Sequence, residues 1–150
     1  MNTYSEGVFG QGPVRVGVYA RVSTHDQQTL PMQQAAMREY AHRRGWRVVM
    51  CFDEIGSGGK QRPKREALLA AARRRQIDMI LVWRLDRWGR SVADLVSTLN
   101  ELASLRVGFA SVTEALDFTT PSGRAMIGMI AVFAEFEKDV LRERVKAGIA

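Results

Sequence analysis

The sequence has few of the residues that cross-link proteins, and it lacks the apolar runs that cross membranes. Its single cysteine, Cys51, excludes an internal disulfide and gives no cysteine-based metal cluster. No apolar run approaches the roughly 20 residues that a membrane-spanning helix needs. Residues 1–13 lack the basic and then apolar order of a secretory signal, and we expect them to form a flexible leader. By elimination, these absences predict a cytoplasmic protein with no membrane partner.

The sequence is rich in positive charge, and most of the excess lies in one stretch. The 150 residues are 46% hydrophobic, which suffices for the core of one domain, and their net charge is +6. From Lys60 to Arg75 there are seven lysines and arginines against one acid, Glu66, so this stretch carries as much net charge as the whole chain. A concentrated basic patch suits a polyanion. A solvated basic helix face would have the same composition.

Strand and helix periodicities alternate along the chain. Apolar side chains recur at every second position from Val14 to Ala20, which indicates a strand. Residues 79–83 form a short continuous apolar run, typical of a central parallel strand. The alternation favours an α/β fold with a mostly parallel central sheet flanked by helices. We predict strands over residues 14–20, 46–52, 79–83 and 107–112, helices over residues 30–44, 64–75 and 91–105 (the last capped by Ser91), and a loop over residues 53–63.

The last predicted helix, residues 121–147, is far longer than a typical helix. Its first half is apolar nearly all round, which favours burial on two sides, against its own domain and against a second subunit. A helix fully internal to one domain is the alternative. From Glu137 onward the helix is charged and therefore leaves the core. The apolar residues of the first half are Met126, Ile127, Met129, Ile130, Val132, Phe133 and Phe136.

The first segment with chemical potential ends the first predicted strand. It consists of Tyr-Ala-Arg-Val-Ser-Thr over residues 19–24. Successive side chains of a strand alternate sides, so Tyr19, Arg21 and Ser23 share one face and bring a hydroxyl and a guanidinium into the same space. As an alternative, Ser23 only caps the helix that follows.

The second segment, residues 85–90, follows the predicted strand over residues 79–83. It consists of Leu-Asp-Arg-Trp-Gly-Arg, and in a helical turn Arg87 and Arg90 would face the same way. Both segments, and the basic loop around Arg62, follow the carboxyl ends of strands, where ligands bind in open α/β sheets. As an alternative, the two arginines belong to a solvated face.

One serine and several arginines at one edge fit displacement at a phosphodiester. Arginine forks hold and neutralise phosphoryl oxygens, and such preorganised charge is often the largest catalytic contribution. Metal-dependent phosphoryl transfer needs clustered carboxylates, whereas the acids here are scattered, so we expect chemistry without metal or cofactor. His25 is a candidate base, but an exposed loop histidine is the better-supported interpretation. Asp86 could orient an arginine, pass a proton to the leaving oxygen, or form a structural salt bridge.

Three motifs together resemble the resolvase/invertase family of serine recombinases. They are the runs at residues 19–24 and 85–90 and a later Glu-Lys-x-x-x-x-Glu-Arg at residues 137–144. The resemblance covers nearly the whole chain beyond the leader, and it implies a catalytic α/β domain over residues 14–120 and a long dimerisation helix over residues 121–150. It also implies a helix-turn-helix domain after that helix. The sequence ends before one, so we expect an isolated catalytic domain without the part that recognises a DNA site.

The resemblance implies a role for each matching residue. Ser23 would attack DNA and become joined to a 5′ phosphate, freeing a 3′ hydroxyl. Arg65 is the alternative to Arg62 as an active-site arginine. The resemblance places Arg21, Arg62, Arg87 and Arg90 around the scissile phosphate, Asp86 in proton transfer, Tyr19 and Gln33 in support, and Glu143, Arg144 and Arg65 in contact with DNA.

The resemblance also implies the partners and the course of the reaction. Double-stranded DNA is the substrate, the protein is a homodimer, and two dimers form a tetramer in the synaptic complex. All four strands break, one half rotates, and the covalent ester allows rejoining without ATP. A domain that only dimerises or docks partners is one alternative. The other is a flavodoxin-like nucleotide binder, which requires a glycine-rich loop where this sequence has Ser-Thr-His-Asp over residues 23–26.

Overall fold

The computed structural model of the protein describes residues 12–56, 62–146 and 148. In the last helix, the side chains described are those of residues 121–133, 135, 136 and 143. Most of the predicted leader, and residues 57–61 of the predicted loop with Lys60 of the basic stretch, therefore lie outside the described residues.

The described chain alternates strands with helices and confirms the predicted α/β fold. The strands stand in the order β2-β1-β3-β4-β5, and neighbouring strands are parallel except β4 and β5. The strands are β1 (Arg15–Val22), β2 (Arg47–Ile55), β3 (Met79–Val82), β4 (Gly108–Ser111) and β5 (Leu116–Asp117). The α-helices are α1 (Leu30–Arg43), α2 (Pro63–Arg73), α3 (Val92–Ser104) and α4 (Pro121–Lys146), with short 3-10 helices at Thr24–Thr29 and Leu85–Arg87.

Strand β1 lies inside the sheet, and its alternating side chains fill two separate parts of the core. Val16 and Val18 pack in the same cluster as Met37 of α1. Tyr19 points to the other face and packs in the cluster that contains Leu68 of α2. All five side chains are at most 1% exposed. Burial of both faces is what helices on the two sides of a parallel sheet produce.

The predicted elements are present, with differences at their ends. Strand β2 continues beyond the predicted 46–52 to Ile55, because its last residues still pair with β1. The sequence does not predict β5, since two residues are too few to show a periodicity. Ser91 caps α3 as predicted, and its Oγ accepts a hydrogen bond from the backbone N–H of Asp94 at 3.1 Å.

Helix α4 packs on α3 with one side and exposes apolar side chains on the other. Met126 and Ile127 are partly buried against the core. Four large apolar residues have at least 65% of their surface accessible, namely Met129, Val132, Phe133 and Phe136. The alternative of a helix fully internal to one domain is therefore excluded for this part of α4. No helix in the described part of the chain is long and apolar enough to cross a membrane.

The turn after α3 holds an arginine in a backbone conformation that favours glycine. Arg106 has a φ of 60°, and the N–H of Val107 donates to Leu102 O, which closes the helix end. We expect Arg106→Gly to raise the free energy of unfolding by about 1 kcal/mol, because glycine adopts this φ without a steric cost. Arg106→Ala keeps the Cβ and should give no such gain. Urea unfolding of both variants tests this, and equal stability of the two would contradict it.

Candidate functional site

The two segments singled out from the sequence meet at the carboxyl edge of the sheet. Strands β1 and β3 are parallel neighbours, so the residues that follow them lie side by side. Arg21 Nε donates to the carbonyl of Arg87 at 3.4 Å, which links the two segments directly. A cavity of about 250 Å³ opens between them. Its polar lining consists of Arg21, Asp26, Thr29, Gln33, Arg84 and Arg87.

Two buried arginines meet the same stretch of backbone at this edge. Arg21 and Arg62 are each 5% exposed. Arg21 Nη1 donates to Gly56 O at 2.7 Å, and Arg62 Nη1 donates to the carbonyls of Arg87 and Trp88 at 3.4 and 2.5 Å. Burial, followed by the nearby charge of Arg21, lowers the pKa of the Arg62 guanidinium. Since two buried like charges are costly, an anion bound beside them would relieve that cost.

Ser23 directly follows β1 and begins the 3-10 helix Thr24–Thr29. It stands at the N-cap position of that helix, but its side chain makes no capping hydrogen bond. Instead, Ser23 Oγ donates to Asp26 Oδ2 at 2.8 Å. Asp26 is one of the residues that line the cavity, so this hydrogen bond connects Ser23 to a side chain of the cavity wall. The contacts of Ser23 therefore do not support the alternative in which the residue serves as a helix cap.

The residues after Ser23 also weaken two other interpretations. His25 is exposed, and the side chain that contacts the Ser23 hydroxyl is Asp26. The segment forms a 3-10 helix and contains no glycine, whereas a nucleotide binder of this topology would have a glycine-rich phosphate loop there. The local structure thus favours neither a histidine base nor a nucleotide site.

Arg87 and Arg90 do not face the same way, contrary to the prediction. Arg87 lines the cavity together with Arg21, whereas Arg90 lines a second cavity of about 410 Å³. The 3-10 helix Leu85–Arg87 ends at Arg87, and the fully buried Trp88 follows it, so no continuous helical turn relates the two arginines. The structure brings Arg21 and Arg87 together and leaves Arg90 on a neighbouring surface.

Asp86 also lines the second cavity and pairs with Arg84. The Asp86 carboxylate accepts hydrogen bonds from Arg84 Nε and Nη2 at 3.0 and 2.6 Å. The hydrogen bond from Arg84 is the main cause that lowers the pKa of Asp86. Of the alternatives for Asp86, the salt bridge is present in the structure, and its partner is Arg84 rather than Arg87. A role in proton transfer stays a prediction.

Arg65 is buried and ion-paired, which does not fit the predicted contact with DNA. Its side chain is 3% exposed, and Nη1 donates to Asp94 Oδ2 at 2.5 Å and to Trp88 O at 2.9 Å. The hydrogen bond from Arg65 is the main cause that lowers the pKa of Asp94. The sequence correctly predicted a cationic residue near this edge of the sheet. In the fold, however, the guanidinium of Arg65 points inward, because the carboxylate of Asp94 lies inside.

Tyr19 and Gln33, the two residues predicted to support the site, both lie near this edge of the sheet. Tyr19 donates its hydroxyl proton to Glu54 Oε2 at 2.8 Å, and burial together with this hydrogen bond raises the pKa of Tyr19. Gln33 lines the cavity, and its buried Oε1 has no hydrogen-bond partner among the described residues. Glu143 is exposed, whereas the side chain of Arg144 lies outside the described part of the chain.

Four acidic or basic residues at this edge have contacts that the sequence analysis missed. The contact of Asp26 has the clearest signal in the sequence, because a tight helical turn brings a carboxylate close to a serine three residues before it. The ion pair of Arg84 could also be predicted from local spacing, since its partner Asp86 is only two residues away in the chain. The contacts of Glu54 with Tyr19 and of Asp94 with Arg65 give no local signal, because these partners lie 35 and 29 residues away in the chain. In the described residues, no group of three or more His, Cys, Asp or Glu side chains could hold a metal ion.

Comparison with known proteins gives consistent matches over nearly the whole chain. Residues 16–150 match the family described as Resolvase, N terminal domain. The chain is 36% identical to the Transposon Tn552 DNA-invertase BinR of Staphylococcus aureus, over 87% of this chain and 65% of the relative. It is 35% identical to the DNA-invertase of Escherichia phage P1, over 87% of this chain and 66% of the relative, so it spans just under two thirds of these proteins.

A solved structure shares both the fold and part of the sequence. The N-terminal catalytic domain of TP901-1 integrase superposes with a TM-score of 0.75 and is 27% identical. The superposition covers 84% of this chain and 98% of that domain. The α/β sheet with its flanking helices and C-terminal helix is thus an architecture already known from solved proteins.

Proposed function

This chain belongs to the resolvase family through its N-terminal domain, and we propose that it is the catalytic domain of a serine recombinase that cuts and rejoins double-stranded DNA through Ser23. The observation that carries the proposal is the hydrogen bond from the Ser23 hydroxyl to Asp26, which lines the same cavity as Arg21 and Arg87. The buried guanidinium of Arg62 adjoins them, because it donates to the same carbonyl as Arg21. A hydroxyl and several guanidinium groups at one edge suit a phosphodiester, whose charge arginine neutralises.

In the proposed reaction, Ser23 Oγ attacks the scissile phosphorus. The product is a phosphoserine joined to the 5′ end of one DNA fragment, and a 3′ hydroxyl is released on the other. The ester conserves the energy of the broken bond, so attack by a 3′ hydroxyl reverses the step without ATP. The arginines stabilise the negative charge that grows on the phosphoryl and leaving oxygens.

The remaining predicted residues keep their proposed roles on the strength of the family resemblance. Arg90 is about half exposed, so its guanidinium is accessible to bound DNA. Asp86 would act on a proton only after releasing Arg84. Tyr19 would support the site from β1 and Gln33 from α1. Glu143 and Arg144 would contact DNA from the far end of α4.

The relatives carry the names of invertases, resolvases and an integrase, all of them DNA recombination proteins. The chain spans between 63% and 66% of the first curated relatives, so the activity of a whole recombinase is part of the proposal. A cytoplasmic location is part of the same proposal, because the proposed substrate is DNA. Residues 14–120 would be the catalytic domain.

Residues 121–150 would form the dimerisation helix, and two dimers would form the tetramer of the synaptic complex. We expect Phe133→Glu to weaken dimerisation by roughly tenfold or more, because a charge would replace an exposed apolar anchor. Sedimentation equilibrium measures the effect. Glu135→Gln on the same helix is the control and should leave dimerisation unchanged. A parent protein that stays monomeric, or a Phe133→Glu variant that dimerises normally, would contradict this interface.

A direct test of the function captures the covalent intermediate. The full chain is joined after residue 150 to a DNA-binding domain of known sequence specificity, and this fusion is incubated with DNA that carries two of its sites. A substrate nicked beside the cleavage position traps the cut state, because the released fragment diffuses away. We expect a protein–DNA adduct that survives denaturation, with the phosphate mapped by mass spectrometry to Ser23. Cleavage without an adduct, or an adduct on another residue, would refute the proposal.

A further inference from the structure

The hydroxyl of Ser23 is already hydrogen-bonded to a carboxylate, and this contact suggests how the proton is removed during attack. On the basis of the proposed function, we propose that Asp26 is the catalytic residue that accepts the proton of Ser23 Oγ. The two side-chain oxygens lie 2.8 Å apart, within the range that direct proton transfer requires. A serine hydroxyl is a weak nucleophile unless a neighbouring base activates it, so the reaction needs such a group.

The direction of this hydrogen bond supports proton acceptance rather than helix capping. In a capping arrangement, the serine oxygen would accept a hydrogen bond from a backbone N–H at the start of the helix. Here the backbone N–H of Asp26 donates to the carbonyl of Ser23 at 3.1 Å, and the Ser23 side chain makes no capping bond. An ionised carboxylate can only accept, so Ser23 Oγ is the donor, and its proton points at Asp26.

The Asp26 carboxylate differs from the other aspartates near this edge. Asp86 forms an ion pair with Arg84, and Asp94 forms an ion pair with Arg65. Among the described residues, no lysine or arginine comes within ion-pair distance of Asp26, whose carboxylate instead contacts the nucleophile. In the described contacts, no cation therefore competes with the Ser23 hydroxyl for the Asp26 carboxylate.

The surroundings of Asp26 set the electrostatics of the step. Asp26 is exposed and lines the cavity with Arg21 of β1 and with Arg84 and Arg87 after β3. Its charge raises the pKa of Arg84, although the main cause there is the hydrogen bond to Asp86. His25 is the adjacent titratable residue and is exposed. Asp26 therefore lines the same cavity as the guanidinium groups that would hold the phosphate, and its carboxylate contacts the Ser23 hydroxyl.

The atoms of the proposed step balance without any further reactant except water. The bond from Ser23 Oγ to phosphorus forms while the bond from phosphorus to the 3′ oxygen breaks. The Ser23 proton moves to Asp26 Oδ2. The leaving 3′ oxygen takes a proton from water, and Asp26 returns its proton to water. During rejoining, the 3′ hydroxyl loses its proton to water as it attacks phosphorus. Asp26 first takes a proton back from water and gives it to Ser23 Oγ as the bond from that oxygen to phosphorus breaks.

The test is the cleavage rate of the fusion carrying Asp26→Asn. Asparagine keeps the size and can still accept the hydrogen bond from Ser23, but it cannot take the proton. We expect covalent-adduct formation to slow by roughly 10²- to 10³-fold, within the range of general base catalysis. Asp26→Glu should recover part of the rate because it restores a carboxylate. Glu39→Gln, an exposed carboxylate-to-amide change on α1, is the matched control and should react at the parental rate.

Two further readouts separate proton acceptance from a structural role. The parental rate should fall as the pH drops far enough to protonate a carboxylate and should level off above that pH. The Asp26→Asn rate should show no such plateau and should keep rising with hydroxide concentration. A substrate with sulfur in place of the bridging 3′ oxygen has a better leaving group that needs no proton. The Asp26→Asn defect should persist on it, because the defect lies in activation of the nucleophile.

Several outcomes would overturn the inference. The first is an Asp26→Asn rate within about threefold of the parental rate, because general base catalysis gives a larger effect. The others are an unchanged pH profile of the Asp26→Asn variant and a defect that disappears on the sulfur-bridged substrate. If the parental fusion forms the Ser23 adduct but Asp26→Asn is unimpaired, the inference fails and the proposed function stands. If the parental fusion forms no adduct on any substrate, both fail. Thermal unfolding of the Asp26→Asn protein checks that its fold is intact.

Discussion

Replacing Ser23 with alanine is expected to abolish the covalent protein–DNA adduct, with a loss on the order of 10⁴-fold or more. The reason is that the adduct is an ester of this hydroxyl, so no other group at the edge can take its place without moving. The cavity and its arginines would still bind the phosphate, because Arg21 and Arg87 make no hydrogen bond to Ser23 in the described contacts. The measurement is adduct formation on the nicked substrate, resolved under denaturing conditions.

The Ser23→Ala protein should otherwise resemble its parent. Ser23 Oγ makes its described hydrogen bond to the exposed Asp26, so we expect the unfolding free energy to change by less than about 1 kcal/mol. Dimerisation through α4 should also be unaffected. Ser104→Ala, which removes an exposed hydroxyl at the end of α3, is the matched control and should form the adduct normally. If Ser23→Ala still formed the adduct, the chain would be better described as a domain that only dimerises or docks partners.

Asp94→Asn is expected to destabilise the protein by roughly 3 kcal/mol, because it leaves a buried guanidinium without its counter-charge. Arg65 is 3% exposed, and its ion pair with Asp94 is its shortest charged contact. The same carboxylate also accepts from the backbone N–H of Arg90 at 2.8 Å. The substitution should therefore loosen the segment that ends with Arg90, and DNA cleavage should fall together with the midpoint of urea unfolding.

The matched control for Asp94→Asn is Glu101→Gln, which breaks the exposed pair with Arg73. That change should cost less than about 1 kcal/mol, because exposed ion pairs contribute little. In the Asp94→Asn chain, a second change of Arg65→Met should recover part of the loss, since an apolar side chain needs no counter-charge. If Asp94→Asn proved as mild as Glu101→Gln, the pair would not be a structural support of the site.

The pH dependence gives a second measure of the same pair. Arg65 lowers the folded-state pKa of Asp94, so the pair contributes its full stability above the unfolded-state pKa of the carboxyl, which is about 3.9. This contribution is lost as the pH falls towards and through the lowered folded-state pKa. The stability difference between parent and Asp94→Asn should therefore narrow in acid and remain constant near neutral pH. A difference that widened in acid would contradict the assignment.

Much of the fold could be predicted because its signals are local. The alternation of apolar residues in β1, the apolar run of β3 and the cap at Ser91 each depend on a few neighbouring residues. The rule that ligands bind at the carboxyl edge of a parallel sheet then places Arg21 and Ser23 on the same edge as Arg87. Helix α4 was predictable for the same reason, since its apolar half and its charged half are continuous in the chain.

The predictions from the sequence failed where a side chain has more than one possible partner in the fold. From the sequence, Arg65 was expected to contact DNA, but in the fold its guanidinium donates to the carboxylate of Asp94 on α3. Arg90 was expected to stand beside Arg87 by helical spacing, but the short 3-10 helix and the buried Trp88 separate them. Two contacts had not been specified from the sequence: the salt bridge of Asp86, one of its stated alternatives, has Arg84 as its partner, and the Ser23 hydroxyl contacts Asp26.

The amino-acid order by itself determined which residue types reach the carboxyl edge of the sheet, because strand periodicity and parallel topology depend on the backbone and on local apolar spacing. The tertiary structure alone decided which of those charges are enclosed and which face the cavity. Burial raises the cost of an unpaired charge, so each guanidinium turns to the acceptor that packing brings within reach, and that acceptor often comes from a distant part of the chain.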